Sequence, residues 1–323
     1  MEFRILAHTG LKVSRVSFGT MTFGAQTDEA TAVRMIDHCL EAGINFFDTA
    51  NVYNQGQSET ILGKALVGRR EDVILATKVR GKMESTPDET GLSRSAIHKA
   101  IDASLKRLGT DYVDVYYLHQ PDYDVAIEET LAAMDELVHA GKVRYPALSN
   151  YAAWQVTEIH WICEKRGYQP PFISQPMYNL IARGIEEEYL PFCQRFGVAV
   201  VPYNPLAGGL LTGKHARDRG PIQGTRFDGN PMYRDRYWHA DDFAAVEELK
   251  AVAQEAGKTL VELAFQWLLS QPIVDSIILG ASRLAQFEEN VKACEAGPLD
   301  AAALAHCDAV WQHLRGVTPK YNR

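Results

Sequence analysis

Four polar side chains sit at or just past the ends of short apolar runs. Asp48 closes Asn45-Phe-Phe-Asp48, Tyr53 follows in the next loop, Lys78 closes Leu75-Ala-Thr-Lys78, and His119 closes Val115-Tyr-Tyr-Leu-His119. Taken singly, each has an ordinary reading: a helix-capping aspartate, a loop aromatic, a solvated lysine, a core histidine. Taken together they are a proton-delivery set. A free tyrosine titrates near ~10, too high for an efficient acid at neutral pH, but an adjacent ammonium favours the phenolate and lowers that value. Lys78 can supply the ammonium, so the expectation is a Tyr53 made more acidic by Lys78. Asp48 would balance the lysine charge and hold it toward Tyr53, and His119 would hydrogen-bond and orient the substrate oxygen. The rival chemistry for Lys78 is that of a Schiff-base lysine. A carboxylate partner keeps the amine protonated and argues against it.

These residues need elements that bring them to one place. Short β-branched or aromatic runs alternate with longer stretches of helical period, the sign of a parallel sheet wrapped by helices. Strand-like runs lie at Val16 to Phe18, Asn45 to Asp48, Val73 to Lys78, Val113 to His119, Val143 to Ser149, Ile173 to Gln175, Val198 to Tyr203 and Ser276 to Leu279. Between them, Ala30 to Ala42, Ser93 to Leu108, Ile127 to Ala140, Ala152 to Lys165, Glu187 to Phe196 and Leu260 to Leu269 are amphipathic and long enough for helices. Gly43, Gly109, Gly141, Gly167 and Gly197 follow helical runs, where a left-handed residue commonly ends a helix. An open dinucleotide-binding sheet would carry G-x-G-x-x-G after its first strand, whereas this junction reads Gly19-Thr-Met-Thr-Phe-Gly24. The expected fold is therefore an α/β (β/α)8 TIM barrel, in which the mouth at the C-terminal strand ends carries the site. That placement brings Asp48, Tyr53, Lys78 and His119 to one face.

Phe3 to Leu6 and Lys12 to Ser14 flank His8-Thr9-Gly10 and predict an N-terminal β-hairpin capping the barrel floor. Extra helices are expected at the C-terminal end. The stretch 208–240, rich in Gly, Pro, Asp and Arg, is too long for an ordinary barrel connection and reads as a functional loop. Its Tyr233, Tyr237 and Trp238 serve either a substrate pocket or packing. A single domain over 1–323 accounts for the length.

Composition narrows the partners. With 33 Lys+Arg against 41 Asp+Glu the formal charge is -8, and no basic patch interrupts it, which argues against nucleic acid and anionic membrane surfaces. Met1 runs into Glu2 and Arg4 without an apolar leader, and no stretch reaches the ~20 apolar residues of a membrane span, so a cytoplasmic location is expected. Cys39, Cys163, Cys193, Cys294 and Cys307 are odd in number and widely spaced, and read as reduced structural thiols. His98, His139, His160 and His215 lack metal-ligand spacing, so no metal is expected. Assembly into a homo-oligomer is left open.

Several segments, taken together, resemble the aldo-keto reductase family: Gly19-Thr-Met-Thr-Phe-Gly24, Gly43-Ile-Asn-Phe-Phe-Asp-Thr-Ala50 with Val52 and Tyr53, Leu118-His-Gln-Pro-Asp122, Leu148-Ser-Asn150, and Leu279-Gly-Ala-Ser-Arg283 leading to Glu289 and Asn290. The resemblance runs to Pro319-Lys-Tyr-Asn-Arg323. It implies reversible reduction of an aldehyde or ketone by hydride from NADP(H), with the family's tetrad falling on Asp48, Tyr53, Lys78 and His119. It further implies that Ser149, Asn150 and Gln175 hold the nicotinamide carboxamide, that Tyr203 stacks on the ring, and that Thr20 and Met21 line the other side. The pattern Gln286, Glu289 and Asn290 also resembles the reductase-like β subunits of potassium channels, which implies a cofactor-binding module with a membrane partner as the alternative.

For the pyrophosphate, the run from Tyr203 to Lys214 offers backbone amides, small residues and a cation, with Asn204, Leu206, Gly208 and Lys214 as contacts. Past the last strand, Gly280, Ser282 and Arg283 precede a helix carrying Gln286, Glu289 and Asn290, so a phosphate would sit at that helix N-terminus. Ser282 beside Arg283 suits a 2′-phosphate, because a guanidinium gives it charge-assisted hydrogen bonds. One departure from the family pattern stands out: Pro146 and Ala147 occupy positions where isoleucine and glycine are common. A proline removes a ladder donor from an interior strand, which predicts a local bulge that displaces Ser149 and Asn150.

Overall fold

Strands buried on both faces read as continuous runs of β-branched and aromatic residues, since neither face meets water. In the computed structural model, which describes residues 1–317, such runs form eight parallel strands. After a hairpin of β1 (Phe3–Ile5) and β2 (Lys12–Ser14), the barrel strands are β3 (Val16–Gly19), β4 (Phe46–Asp48), β5 (Ile74–Val79), β6 (Val113–Leu118), β7 (Val143–Ser149), β8 (Ile173–Gln175), β9 (Ala199–Val200) and β10 (Ile277–Gly280). They pair in the order β10-β3-β4-β5-β6-β7-β8-β9. The seam between the first and last of these is closed by a parallel bridge from Val200 to Val274 and by Ile278 N–H donating to Pro202 O at 3.0 Å. The result is the expected (β/α)8 barrel.

Two apolar layers follow from the alternation of side chains along each strand. Phe46, Ala76, Val115, Tyr117, Ala147, Ile173, Ala199, Val201 and Ile278 fill the barrel interior, and Leu6 and Val13 of the hairpin join them from below. The hairpin is thus a floor plug. The larger outer layer packs the other strand face against the helices α1 (Glu29–Glu41), α2 (Gln57–Ala65), α3 (Arg94–Leu108), α4 (Ile127–His139), α5 (Ala153–Arg166), α6 (Tyr189–Phe196), α7 (Pro231–Tyr237), α8 (Ala240–Glu255), α9 (Leu260–Ser270), α10 (Leu284–Cys294) and α11 (Ala301–Arg315). Ser93 caps α3 by accepting from Ala96 N–H, and Gly109 ends it at φ 65°, a conformation that costs glycine little. The extra helices α8 and α11 pack on each other outside the ring.

Two strand expectations need correction. Pro146 causes no bulge: it pairs in register with Tyr116, flanked by Tyr145 with Val115 and Ala147 with Tyr117. The ladder to β8 begins only at Leu148, so the missing amide hydrogen falls before that ladder starts. The seventh barrel strand is short, because Pro202 interrupts the expected run from Val198 to Tyr203; Tyr203 N–H still reaches Pro176 O at 3.0 Å. The motif at Pro319 to Arg323 lies outside the described residues.

Four cysteines are buried and Cys294 is partly so, all unpaired. Burial pushes the thiols of Cys163, Cys193 and Cys307 up to about 12, which makes them poor nucleophiles.

Candidate active site

Parallel register places the chemistry. Asp48 pairs with Ala76 and Lys78 with Tyr117, so the C-terminal ends of β4, β5 and β6 lie side by side. His119 follows β6, its N–H donating to Val79 O at 3.0 Å. Tyr53 hangs in the loop after β4, where Asn54 and Gln55 both take positive φ, 49° and 54°. Asn54 pins that turn by donating from Nδ2 to Met21 O at 3.1 Å and Phe23 O at 2.6 Å.

Lys78 is wholly buried, which requires a partner for its charge. Its Nζ pairs with Asp48 Oδ1, donates to Thr49 O at 2.7 Å, and lies 3.4 Å from the Tyr53 hydroxyl. The other Asp48 oxygen accepts from Gln175 Nε2 at 2.8 Å. The His119 ring stands edge-on to Tyr53 with centroids 6.0 Å apart. The four residues named from the sequence are therefore one cluster at one mouth.

Its protonation follows from burial and charge. Burial alone would lower the Lys78 value, but Asp48 and Tyr53 outweigh it and raise it, so the ammonium persists. Burial raises Tyr53, Lys78 offsets this only in part, and Asp48 raises it further. The expected net acidification of Tyr53 is thus overturned: desolvation of the phenolate exceeds the lysine's attraction. Tyr53 is a fully protonated phenol at neutral pH, held beside a cation that still favours proton release. Burial, then Lys78 and Arg80, press His119 down to about 3, leaving a neutral imidazole.

A second network borders the tetrad. Ser149 Oγ donates to Gln175 O at 2.9 Å, Asn150 Nδ2 donates to His119 O at 2.9 Å, and the Tyr203 hydroxyl donates to Asn150 Oδ1 at 2.8 Å. Asn150 adopts φ 63°, which asparagine tolerates better than most residues. Thr20 is buried, with its hydroxyl 2.8 Å from Ser58 Oγ, and braces the wall rather than the open face. Met21 is 39% exposed at the rim.

The loop after β9 departs from expectation. Ala207 N–H donates to Asn204 O at 3.0 Å, Gly208 N–H to Asn204 Oδ1 at 2.6 Å and Gly209 N–H to Leu206 O at 2.8 Å, so these amides are spent inside the turn. Asn204 Nδ2 also donates to the Tyr237 hydroxyl at 2.8 Å. What this loop leaves unspent is cationic. Lys214 is exposed; partial burial and then neighbouring Arg283 lower its value. Arg226 donates to the Tyr233 hydroxyl at 3.0 Å and lies 3.3 Å from Met21 Sδ. Arg226 and Arg236 both lie over the Tyr233 ring, at 5.3 and 5.7 Å. None of Lys214, Arg226, Arg236 and Arg283 has a carboxylate partner among the described residues. Tyr237 is buried and Trp238 packs on His215, Phe227 and Phe243, which favours their structural reading.

The end of β10 joins the same cleft. Thr22 Oγ1 donates to Ala281 O at 2.8 Å and Thr27 Oγ1 to Ser282 O at 3.1 Å, tying it to the loop after β3. Ser282 N–H donates to Gln286 Oε1 at 3.1 Å, Asn290 Nδ2 donates to Gly280 O at 3.1 Å, and Glu289 and Arg283 stay exposed. Sequence reasoning missed Arg226 and Arg236, since only the lack of a carboxylate partner in the fold sets them apart. Among the described residues no group of three or more His, Cys, Asp or Glu could hold a metal, and no helix is long and apolar enough to cross a membrane.

A (β/α)8 barrel with a buried Asp-Lys pair, a tyrosine and a neutral histidine at its mouth defines a class of barrel oxidoreductases that act on carbonyl groups. The model of the aldo/keto reductase family matches residues 15–312, and the chain belongs to that family. It is accordingly an NAD(P)H-dependent oxidoreductase. It is 39% identical to a probable voltage-gated potassium channel subunit beta of Oryza sativa subsp. japonica, over 93% of each chain. It is 37% identical to aflatoxin B1 aldehyde reductase member 2 of Rattus norvegicus, over 94% of this chain and 86% of that one. An uncharacterized oxidoreductase of Bacillus subtilis is 36% identical over 99% of each.

Proposed function

We propose that the chain reduces an aldehyde or ketone with NADPH, and that Tyr53 delivers the proton to the carbonyl oxygen. When bound, the nicotinamide cofactor supplies hydride to the carbonyl carbon. The observation that carries the assignment of the acid is the Lys78 ammonium, paired with Asp48 and 3.4 Å from the Tyr53 hydroxyl. Tyr53 starts as a phenol, so it has a proton to give. As the proton leaves, charge develops on its oxygen within reach of Lys78, which stabilises that charge more than the starting phenol. Asp48 keeps Lys78 in place, and Gln175 keeps Asp48 in place. His119, neutral, has a ring nitrogen to hydrogen-bond and orient the carbonyl oxygen.

The cleft suits an anionic dinucleotide, because Lys214, Arg226 and Arg283 lack carboxylate partners among the described residues and would gain them from phosphates. Ser149, Asn150 and Gln175 would hold the carboxamide, Tyr203 would stack on the ring, and Met21 and Leu206 would line it. Lys214 and Arg226 would take the diphosphate, with Asn204 and Gly208 shaping the turn. Ser282, Arg283, Gln286 and Asn290 would take the adenosine end, and the adjacent hydroxyl and guanidinium favour a 2′-phosphate over a bare hydroxyl.

Tyr53→Phe tests the acid. NADPH oxidation with 4-nitrobenzaldehyde should fall about 10²- to 10⁴-fold, the usual contribution of general acid catalysis, while fluorescence titration shows NADPH still binding. A rate near wild type would mean that another group gives the proton. The same variant separates a second reading suggested by the channel-subunit relatives: a cofactor-binding module for a membrane partner has no need of a proton donor.

A further inference from the structure

Arg80 stands immediately after β5 with φ 113°, a backbone region that side chains other than glycine rarely adopt. Such strain persists where surrounding structure enforces it and clusters at ligand-gripping positions. Here the enforcement is local: Gly91 N–H donates to Arg80 O at 3.2 Å, and Arg80 bridges to Thr90. Because His119 N–H donates to the carbonyl of the preceding Val79, Arg80 stands at the rim beside His119.

The side chain is half-buried, yet no carboxylate pairs with it among the described residues. Among the other guanidiniums that are at least partly buried, Arg70 pairs with Asp114, Arg107 with Glu59 and Glu89, and Arg183 with Glu186 and Asp308, while Arg15 donates to the carbonyls of Val274 and Leu269 and Arg226 to the Tyr233 hydroxyl. Asp122, the carboxylate whose charge is felt with that of Arg80 at Tyr151, is engaged by Leu92 N–H at 2.9 Å. The strand order also matters. β5 lies four places from β9 around the ring of eight, so Arg80 stands at a strand end opposite the strand that leads into the loop carrying Lys214.

We propose that Arg80 is a specificity-determining residue that grips an anionic group, carboxylate or phosphate, carried by the carbonyl substrate. This rests on the carbonyl-reductase reading above and names the substrate class of that site. A charged anchor beside His119 would fix the substrate's tail while its carbonyl meets Tyr53.

Two matched substrate pairs test it: 4-formylbenzoate against its methyl ester, and glyceraldehyde 3-phosphate against glyceraldehyde. Wild type should favour the charged member of at least one pair, and added salt should erode that preference. In Arg80→Gln the ratio of kcat/KM, charged over neutral, should fall about tenfold or more through KM, the scale of one charge-assisted bond, with Arg80→Lys restoring part. Arg80→Gly should lose the ratio too while melting at a higher temperature, since glycine removes the strain. Whichever pair responds identifies the carboxylate or the phosphate as the anion. An Arg80→Gln ratio within twofold of wild type, or equal slowing of both members in all variants, would overturn the proposal. If wild type reduces 4-nitrobenzaldehyde in either of those cases, only Arg80 is at fault; if it reduces no carbonyl compound, the reading beneath is.

Discussion

Lys78→Met removes the cation on which the site depends, and its effects can be sized. At 3.4 Å from the Tyr53 hydroxyl, a lysine charge and a full phenolate charge attract by about 5 kcal/mol at an effective dielectric near 20. A transition state with the proton half transferred would realise about half of that, roughly a hundredfold in rate. The substitution also strands Asp48, 2% exposed and left with Gln175 as its remaining side-chain partner. Removing one member of a buried pair typically costs about 3–5 kcal/mol of stability. We therefore expect kcat with 4-nitrobenzaldehyde to fall about 10²- to 10³-fold, and urea unfolding to show that loss of stability. The double variant Asp48→Asn, Lys78→Met should be less destabilised than the sum of the two single variants, because it leaves no uncompensated charge. Additive losses, or a kcat within about threefold of wild type, which is under 1 kcal/mol of barrier, would refute the reasoning.

Arg283→Gln should cut the preference for NADPH over NADH by about one to two orders of magnitude, the scale of charge-assisted bonds to a phosphate; unchanged dissociation constants in fluorescence titrations would remove Arg283 from the adenosine end. His119 links stability to acid. Its folded-state value is pressed to about 3 from the ordinary imidazole value of 6.5, so between those values the unfolded chain holds the extra proton. Stability from this group is complete above the upper value and is lost as pH falls through the window, at up to about 1.4 kcal/mol per pH unit. Urea unfolding from pH 4 to 7 should therefore be less pH-dependent in His119→Asn than in wild type; parallel curves would show that burial does not hold this imidazole neutral.

Much of the barrel was legible in the chain because its signals are local. Val113 to Leu118 is buried throughout and apolar or aromatic but for Asp114, and Gly109 and Gly167 end α3 and α5 where the helical period stops. The tetrad was legible for the same reason, each member lying at or just after a strand end. The misjudged features depend on neighbours distant in sequence. Pro146 looked disruptive until the β7 to β8 ladder proved to start at Leu148. The loop amides near Gly208 looked available until Asn204 and Leu206 claimed them.

The order of apolar runs and breakers by itself determined an eightfold strand-helix alternation and which polar residues cap its strands, since periodicity and turn chemistry act over a few residues. Tertiary structure alone decided the sign of the Tyr53 shift and that Arg80, Arg226 and Arg236 stand without carboxylate partners among the described residues. Desolvation and charge pairing sum over groups from far along the chain, and those sums exist only once the barrel has closed.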